Sequence, residues 1–425
     1  MKNIQINAEG RGFVLDGKPF FYLADTIWSA FTNVSMEEWE YYLNQRKFQG
    51  FNVLQINTLP QWDRSASDLN IYPFPTEDNH TFHFTSFNEE YFNRAKRMCQ
   101  MAVDKGFRLE LVLLWANYVP ETWASAIISD NIMPYDFIKP LIKKIYETFD
   151  EFNPIYVVSG DTDFETERAI SYYECALDTI TKLSPNTLKT LHIRGRYSTI
   201  PDSLMNKIDF YMFQSGHNSE YQYMAFELAE KFYNDFPVKP IINSEPCYEQ
   251  MGYSRKMYGR FRRRDIRKAA WSSILSGACA GVTYGAHGIW NWNKINKAKT
   301  GILGEGFDDP MFWEDAVKFP GAWDYGYIKY LFETYNIKSL IPLDIVLNNT
   351  KEIRCAKQMD GELIFIYVPT NTKVILNQTF KEYDFKVIDL YDKNVLYPNV
   401  NIEEDKTIIQ MHNFEEDVLI IGKKK

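Results

Sequence analysis

Residues 49–57, QGFNVLQIN, and residues 105–114, KGFRLELVLL, are two copies of one junction. In each, a polar residue and a glycine precede a phenylalanine and then an apolar run. That order is expected where a helix closes on a left-handed glycine and the chain turns straight into a buried strand. Helical patterns precede both: Ser35 and Glu38 have capping-box spacing ahead of Gly50, and 89–105 carries helical spacing ahead of Gly106. Two successive helix-to-strand turns of one design predict a repeating α/β unit.

The same alternation runs through the first 340 residues. Apolar runs stand at 20–24, 51–56, 109–114, 155–158, 190–193, 210–213, 240–243 and 281–284, with further helices expected at 135–149, 165–183, 221–236, 265–276 and 325–335. Eight strand candidates separated by helices favour a closed (β/α)8 TIM barrel over an open doubly wound sheet. No glycine-rich phosphate loop follows the first run, which argues against a dinucleotide site. Beyond Leu340 the pattern shortens to strands such as 363–368, 385–390 and 418–421, so residues 1–340 are read as the barrel and 341–425 as a small all-β sandwich. The stretch 293–320 lacks periodicity and is expected to be a loop that helps shape the site.

The net charge of −9 argues against a surface that collects phosphates, so no nucleic-acid partner is expected. The basic run 260–264, RFRRR, leads into a helical pattern and reads as a helix start with ion pairs. The five cysteines form no CxxC, and the six histidines include one close pair, His80 and His83, without a third ligand. Buried free thiols and no metal or other cofactor are therefore expected. The N-terminus MKNIQINAEG has no apolar h-region and no apolar run reaches 18 residues, so neither a signal peptide nor a membrane span is expected and a cytoplasmic protein is the simplest reading.

Barrel enzymes build their sites at the C-terminal ends of the strands. Those positions here are Asp25, Asn57, Trp115 with Asn117, Asp161 with Asp163, Arg194 with Arg196, Gln214 with His217, Glu245, and His287 with Trp290 and Asn291. Carboxylates after strands 4 and 7 face each other across a barrel mouth, the arrangement glycoside hydrolysis needs, with one group protonated and the other ionised. Trp115, Trp290 and Trp292 are expected to desolvate the acid and to stack on a sugar ring. Asp161 also suits a helix N-cap, although Asp163 fits that role better. Asp25 either bonds sugar hydroxyls or orients Trp28. His217 and His287 suit hydroxyl recognition or positioning of the nucleophile. Arg194 and Arg196 suit either a uronate carboxylate or an ion pair that holds Glu245 or Asp161.

The segments FVLDGKPFFYLADTIW (13–28), KFQGFNVLQIN (47–57), VVSGDTD (157–163), FQSGH (213–217), INSEPCYE (242–249) and YGAHGIWNW (284–292) resemble, in that order, the apiosidase-like glycoside hydrolases of family 140. The resemblance covers roughly residues 10–340 and implies a retaining enzyme with Asp161 as acid/base and Glu245 as nucleophile. One position departs: relatives commonly read Gly-Gly-Asp after strand 4, and this chain has Ser159-Gly160-Asp161. The expected activity is removal of a terminal sugar from an oligosaccharide or a polysaccharide side chain, with Asp25, Trp28, Asn57, Trp115, Arg194, Gln214, His217, His287 and Trp290 as sugar contacts. Two alternatives stand beside it: a catalytically silent carbohydrate-binding barrel, and a hydrolase using Asp163 and Glu249.

Overall fold

The structure is a computed structural model that describes residues 3–295 and 307–425. Residues 296–306 of the expected 293–320 loop therefore lie outside the described residues, and the described part includes a short helix, Trp313–Ala316. Eight parallel strands build the barrel: β1 Tyr22–Thr26, β2 Val53–Asn57, β3 Arg108–Trp115, β4 Ile155–Gly160, β5 Lys189–Thr190, β6 Tyr211–Phe213, β7 Ile241–Asn243 and β8 Gly281–Tyr284. The helices that follow them are α1 Met36–Phe48, α2 Glu89–Asp104, α3 Ile138–Phe149, α4 Glu167–Leu183, α5 Asp202–Met205, α6 Met224–Asp235, α7 Arg263–Leu275 and α8 Gly321–Thr334. The hydrogen-bonded order is β5-β4-β3-β2-β1-β8-β7-β6, so β1 pairs with β8 in parallel. The two end strands meet through Asp209 N to Lys189 O at 2.8 Å and Thr190 Oγ1 to Phe210 O at 2.7 Å.

The repeated junction forms as its sequence predicts. Ser35 Oγ accepts from Glu38 N at 3.2 Å while Glu38 Oε2 accepts from Ser35 N at 2.9 Å, and α1 closes with Gly50 at φ +94°. Gly106 closes α2 at φ +86°, the left-handed region that a side chain makes costly. The fifth strand differs from its expected span. It holds two residues instead of four, because beyond Thr190 the pairing reduces to a single bridge between Thr162 and Ile193. That early departure carries His192 to the barrel mouth.

Beyond α8 follow β9 Leu340–Pro342, β10 Arg354–Gln358, β11 Leu363–Val368, β12 Val374–Leu376, β13 Tyr383–Asp389, β14 Val395–Leu396, β15 Val400–Glu403, β16 Lys406–Ile409 and β17 Val418–Lys424. They form two antiparallel sheets, ordered β9-β10-β11-β17-β13-β14 and β12-β16-β15. Strand pleating explains how the larger sheet is buried twice: Ile364, Ile366 and Ile420 join the sandwich core, while Phe365, Tyr367, Leu419 and Ile421 join the barrel's core. The basic run supplies ion pairs at this junction, as read from sequence. Arg263 is bidentate to Asp324 at 2.6 and 2.7 Å, and Arg267 joins Asp324 to Asp417.

Candidate active site

Glu245 follows β7 and is nearly sealed, with 7% of its surface exposed. Two imidazoles meet its carboxylate: His217 Nε2 lies 2.8 Å from Oε1, and His192 Nε2 lies 3.1 Å from Oε2. The first contact is a well-formed hydrogen bond, whereas the second has the distance but poorer alignment. Each ring is oriented from behind by a backbone N–H. Asp161 N donates to His192 Nδ1 at 3.2 Å, and Tyr248 N donates to His217 Nδ1 at 3.3 Å. An Nδ1 that accepts leaves the ring proton on Nε2, so both rings aim an N–H at Glu245. Burial pushes the Glu245 carboxyl up, but the interactions with His192 and His217, their hydrogen bonds foremost, outweigh it and hold the group at about 2. Glu245 is thus ionised throughout the neutral range.

Asp161 stands directly after β4 at φ +51°, a conformation that costs a non-glycine residue about 1–3 kcal/mol. Its carbonyl accepts from Trp123 Nε1 at 2.6 Å, and its N–H is the donor that orients His192. The backbone turn that brings Asp161 to the pocket therefore also positions the ring that meets Glu245. Ser159, the departure from the family pattern, is fully buried and donates to the His192 carbonyl at 3.0 Å. Its hydroxyl tightens the same unit without reaching the pocket.

Gly160 is the position in this motif with no room for a side chain. A Cβ there would lie 2.1 Å from Trp115 Cε3, because the indole rests on the bare backbone. Gly160→Ala is expected to push Trp115 into the pocket, to cost about 1–3 kcal/mol of stability through overpacking, and to weaken substrate binding. Thermal unfolding and KM measured on one preparation check both effects.

The two carboxylates share a pocket of about 240 Å³. Trp28 meets Trp115 edge-to-face at 5.0 Å, and these rings, with Trp62, Trp123 and Trp290, wall the pocket. Gln214, His217, Arg194 and Arg196 also line it. Among the described residues, no group of three or more His, Cys, Asp or Glu side chains is disposed to hold a metal ion. An ionised carboxylate, a second carboxyl group and several indoles in one pocket are the parts of a site that acts on sugars.

Residues 8–339 match the family described as "Apiosidase-like, catalytic domain". The chain belongs to the apiosidase-like family. It is a glycoside hydrolase with a carbohydrate substrate. Solved structures share the fold at low sequence identity. One described as "Glycoside hydrolase" is 22% identical, with TM-score 0.80 over 100% of this chain and 97% of its own. A glycoside hydrolase family 5 structure from Bacteroides vulgatus ATCC 8482 is 21% identical, with TM-score 0.82 over 99% of this chain and 93% of its own. No curated protein matches the chain.

Several residues expected at the mouth of this apiosidase-like barrel lie beneath it. Asp25 is fully buried, 2.5 Å from Arg46 Nε and 2.6 Å from the Tyr42 hydroxyl, so it ties β1 to α1 and leaves sugar binding to others. Asn57 is bonded to Gln61 and supports that pocket residue from behind. His287 is fully buried behind Trp290, its ring tilted at 6.2 Å from the indole. Trp292 stacks on Trp313 at 4.5 Å, away from the pocket. None of these four lines the pocket.

The remaining strand-end groups resolve into supports. Arg194 Nη1 lies 2.6 Å from Asp163 Oδ2 and 3.6 Å from Glu165, so its ion pair is with neither Glu245 nor Asp161. Thr166, not Asp163, caps α4, its side chain accepting from Ala169 N at 3.1 Å. Glu249 accepts from the Tyr284 hydroxyl at 2.6 Å and from Gly321 N, and neither Asp163 nor Glu249 lines the pocket, which removes the geometry for a pair built on them. Sequence reasoning missed His192, Asp63, Trp123 and Tyr248. His192 is concealed inside the apolar run TLHI, and Asp63 lies six residues past β2, well beyond the strand end.

Proposed function

We propose that the enzyme is a retaining, exo-acting glycosidase that removes a terminal sugar from an oligosaccharide or a polysaccharide side chain. Asp161 protonates the leaving oxygen as Glu245 attacks the anomeric carbon, and ionised Asp161 then draws a proton from the water that releases the sugar. The observation that carries this reading is the pair of imidazole N–H groups on Glu245. They keep the carboxylate anionic and aimed, as a nucleophile must be, and they unsuit it to be the acid. The pocket volume supports the exo mode. At about 240 Å³ it falls below the range of about 300–1,000 Å³ found for drug-sized ligands, which fits one end of a sugar chain.

The test is hydrolysis of aryl pyranosides and furanosides, with the anomeric configuration of the first-formed sugar followed by NMR. Retention is expected; inversion rules the mechanism out. Asp161→Ala is expected to slow poor leaving groups by about 10²–10⁴-fold and activated aryl groups far less. Added azide is expected to restore turnover as a glycosyl azide of retained configuration. Equal losses for every leaving group, without azide rescue, would remove Asp161 from the acid/base role.

A further inference from the structure

The pocket contains a third carboxyl group that the two-carboxylate mechanism does not use. Asp63 lies in the loop between β2 and α2, lines the pocket with Glu245 and Asp161, and is partly exposed. Its Oδ1 is sealed from solvent and has no hydrogen-bond donor among the described residues. The adjacent cation is engaged elsewhere: Arg64 donates through Nη1 to the Gln61 carbonyl at 2.8 Å and through Nη2 to the Asn79 carbonyl at 3.3 Å. One oxygen of this carboxyl group is thus buried without the partner that buried polar atoms ordinarily have, which makes the group costly to ionise.

We infer that Asp63 is a third carboxyl group of the sugar subsite, hydrogen-bonded to a hydroxyl of the sugar that lies against Glu245. The inference rests on the glycosidase reading and deepens it by assigning a specificity contact. Its electrostatics agree with its place. Burial pushes the Asp63 carboxyl up to about 7, and the nearby Glu245 charge adds to the rise against hydrogen bonds from Gln61 and its own backbone. Asp63 is then a neutral acid below about pH 7, able both to donate and to accept, whereas Glu245 can only accept. A sugar hydroxyl, donor and acceptor at once, complements that group. Among the described residues, the other titratable or charged groups around the pocket are Asp161, His192, His217, Tyr248, Arg194 and Arg196. Because any of these could contribute a pH dependence, the Asp63→Asn variant serves as the control: it keeps a donor and an acceptor but cannot ionise.

The experiment is calorimetric titration of wild type, Asp63→Asn and Asp63→Ala with a panel of free pentoses and hexoses at about pH 5 and about pH 9. A sugar is expected to bind wild type about tenfold more weakly at the higher pH, Asp63→Asn about equally at both, and Asp63→Ala at least tenfold more weakly at both. Identical affinities and pH dependence in the three proteins overturn the inference, as does the absence of binding by any sugar. Hydrolysis by wild type separates the two levels. A glycoside that is cleaved while Asp63→Ala binds sugar normally removes the Asp63 contact and leaves the glycosidase reading standing; no cleavage and no binding removes both.

Discussion

Glu245→Gln is expected to lower kcat by at least about 10³-fold on any glycoside that wild type cleaves, because it removes the nucleophile and not a binding contact. The variant keeps the shape of the side chain, so the far-ultraviolet circular dichroism is expected to be native. Stability is a separate observable with a definite sign. The folded carboxyl is held at about 2 against an ordinary value of 4.5. That difference amounts to about 3 kcal/mol of stability favouring the ionised form, fully present above pH 4.5 and lost as the pH falls toward 2. Glutamine cannot ionise and so forgoes it. Denaturant unfolding should therefore find Glu245→Gln less stable than wild type near neutrality, with the gap closing in acid. Near-normal kcat in the variant would remove Glu245 from the mechanism; a stability gap that stays constant with pH would remove the two histidines as the cause of its ionisation.

The second large effect lies far from the chemistry. Arg267 is 1% exposed and spans the junction of barrel and sandwich, meeting Asp324 at 3.0 Å and the fully buried Asp417. Asp324 keeps Arg263 and Lys393 if Arg267 is lost, but Asp417 keeps only the Tyr367 hydroxyl at 3.0 Å as a side-chain partner among the described residues. Arg267→Ala should accordingly cost about 3–5 kcal/mol, the usual penalty for leaving a buried charge without its partner. Urea unfolding measures it. Replacing Arg267 and Asp417 together by apolar residues of similar volume is expected to recover most of the loss, since no unpaired charge then remains. A single-variant loss below about 1 kcal/mol would mean that water reaches Asp417 and that the junction is looser than its burial indicates.

The barrel was legible because its signals are local. Gly50 and Gly106 each end a helix and begin a strand within three residues, and the apolar runs recur at each turn of the fold. The two carboxylates were legible for a related reason, since the ends of β4 and β7 define the mouth. What failed depends on the direction a side chain takes. Asp25, Trp292 and His287 occupy the right segments, yet Arg46, Trp313 and the wall around Trp290 draw them beneath the pocket, and each of those partners is distant in sequence or set by loop geometry. His192 failed in the opposite sense. Read as strand interior, it gains its role from the early end of β5 and from the Asp161 N–H at the end of the neighbouring β4. Asp63 shows the limit of strand-end reasoning: a long loop returned it to the pocket, and no periodicity marks such a return.

The most direct test of the central claim is to trap the enzyme with a 2-deoxy-2-fluoro glycoside of whichever sugar wild type releases and to locate the label by peptide mass spectrometry. The fluorine slows both steps, and a good leaving group lets the first outrun the second, so that a covalent glycosyl-enzyme accumulates. The account predicts a single label on Glu245, absent from Glu245→Gln, with activity returning as the adduct turns over. A label on Asp161, Asp63 or Glu249, or an unlabelled enzyme that releases its sugar with inverted configuration, would contradict it.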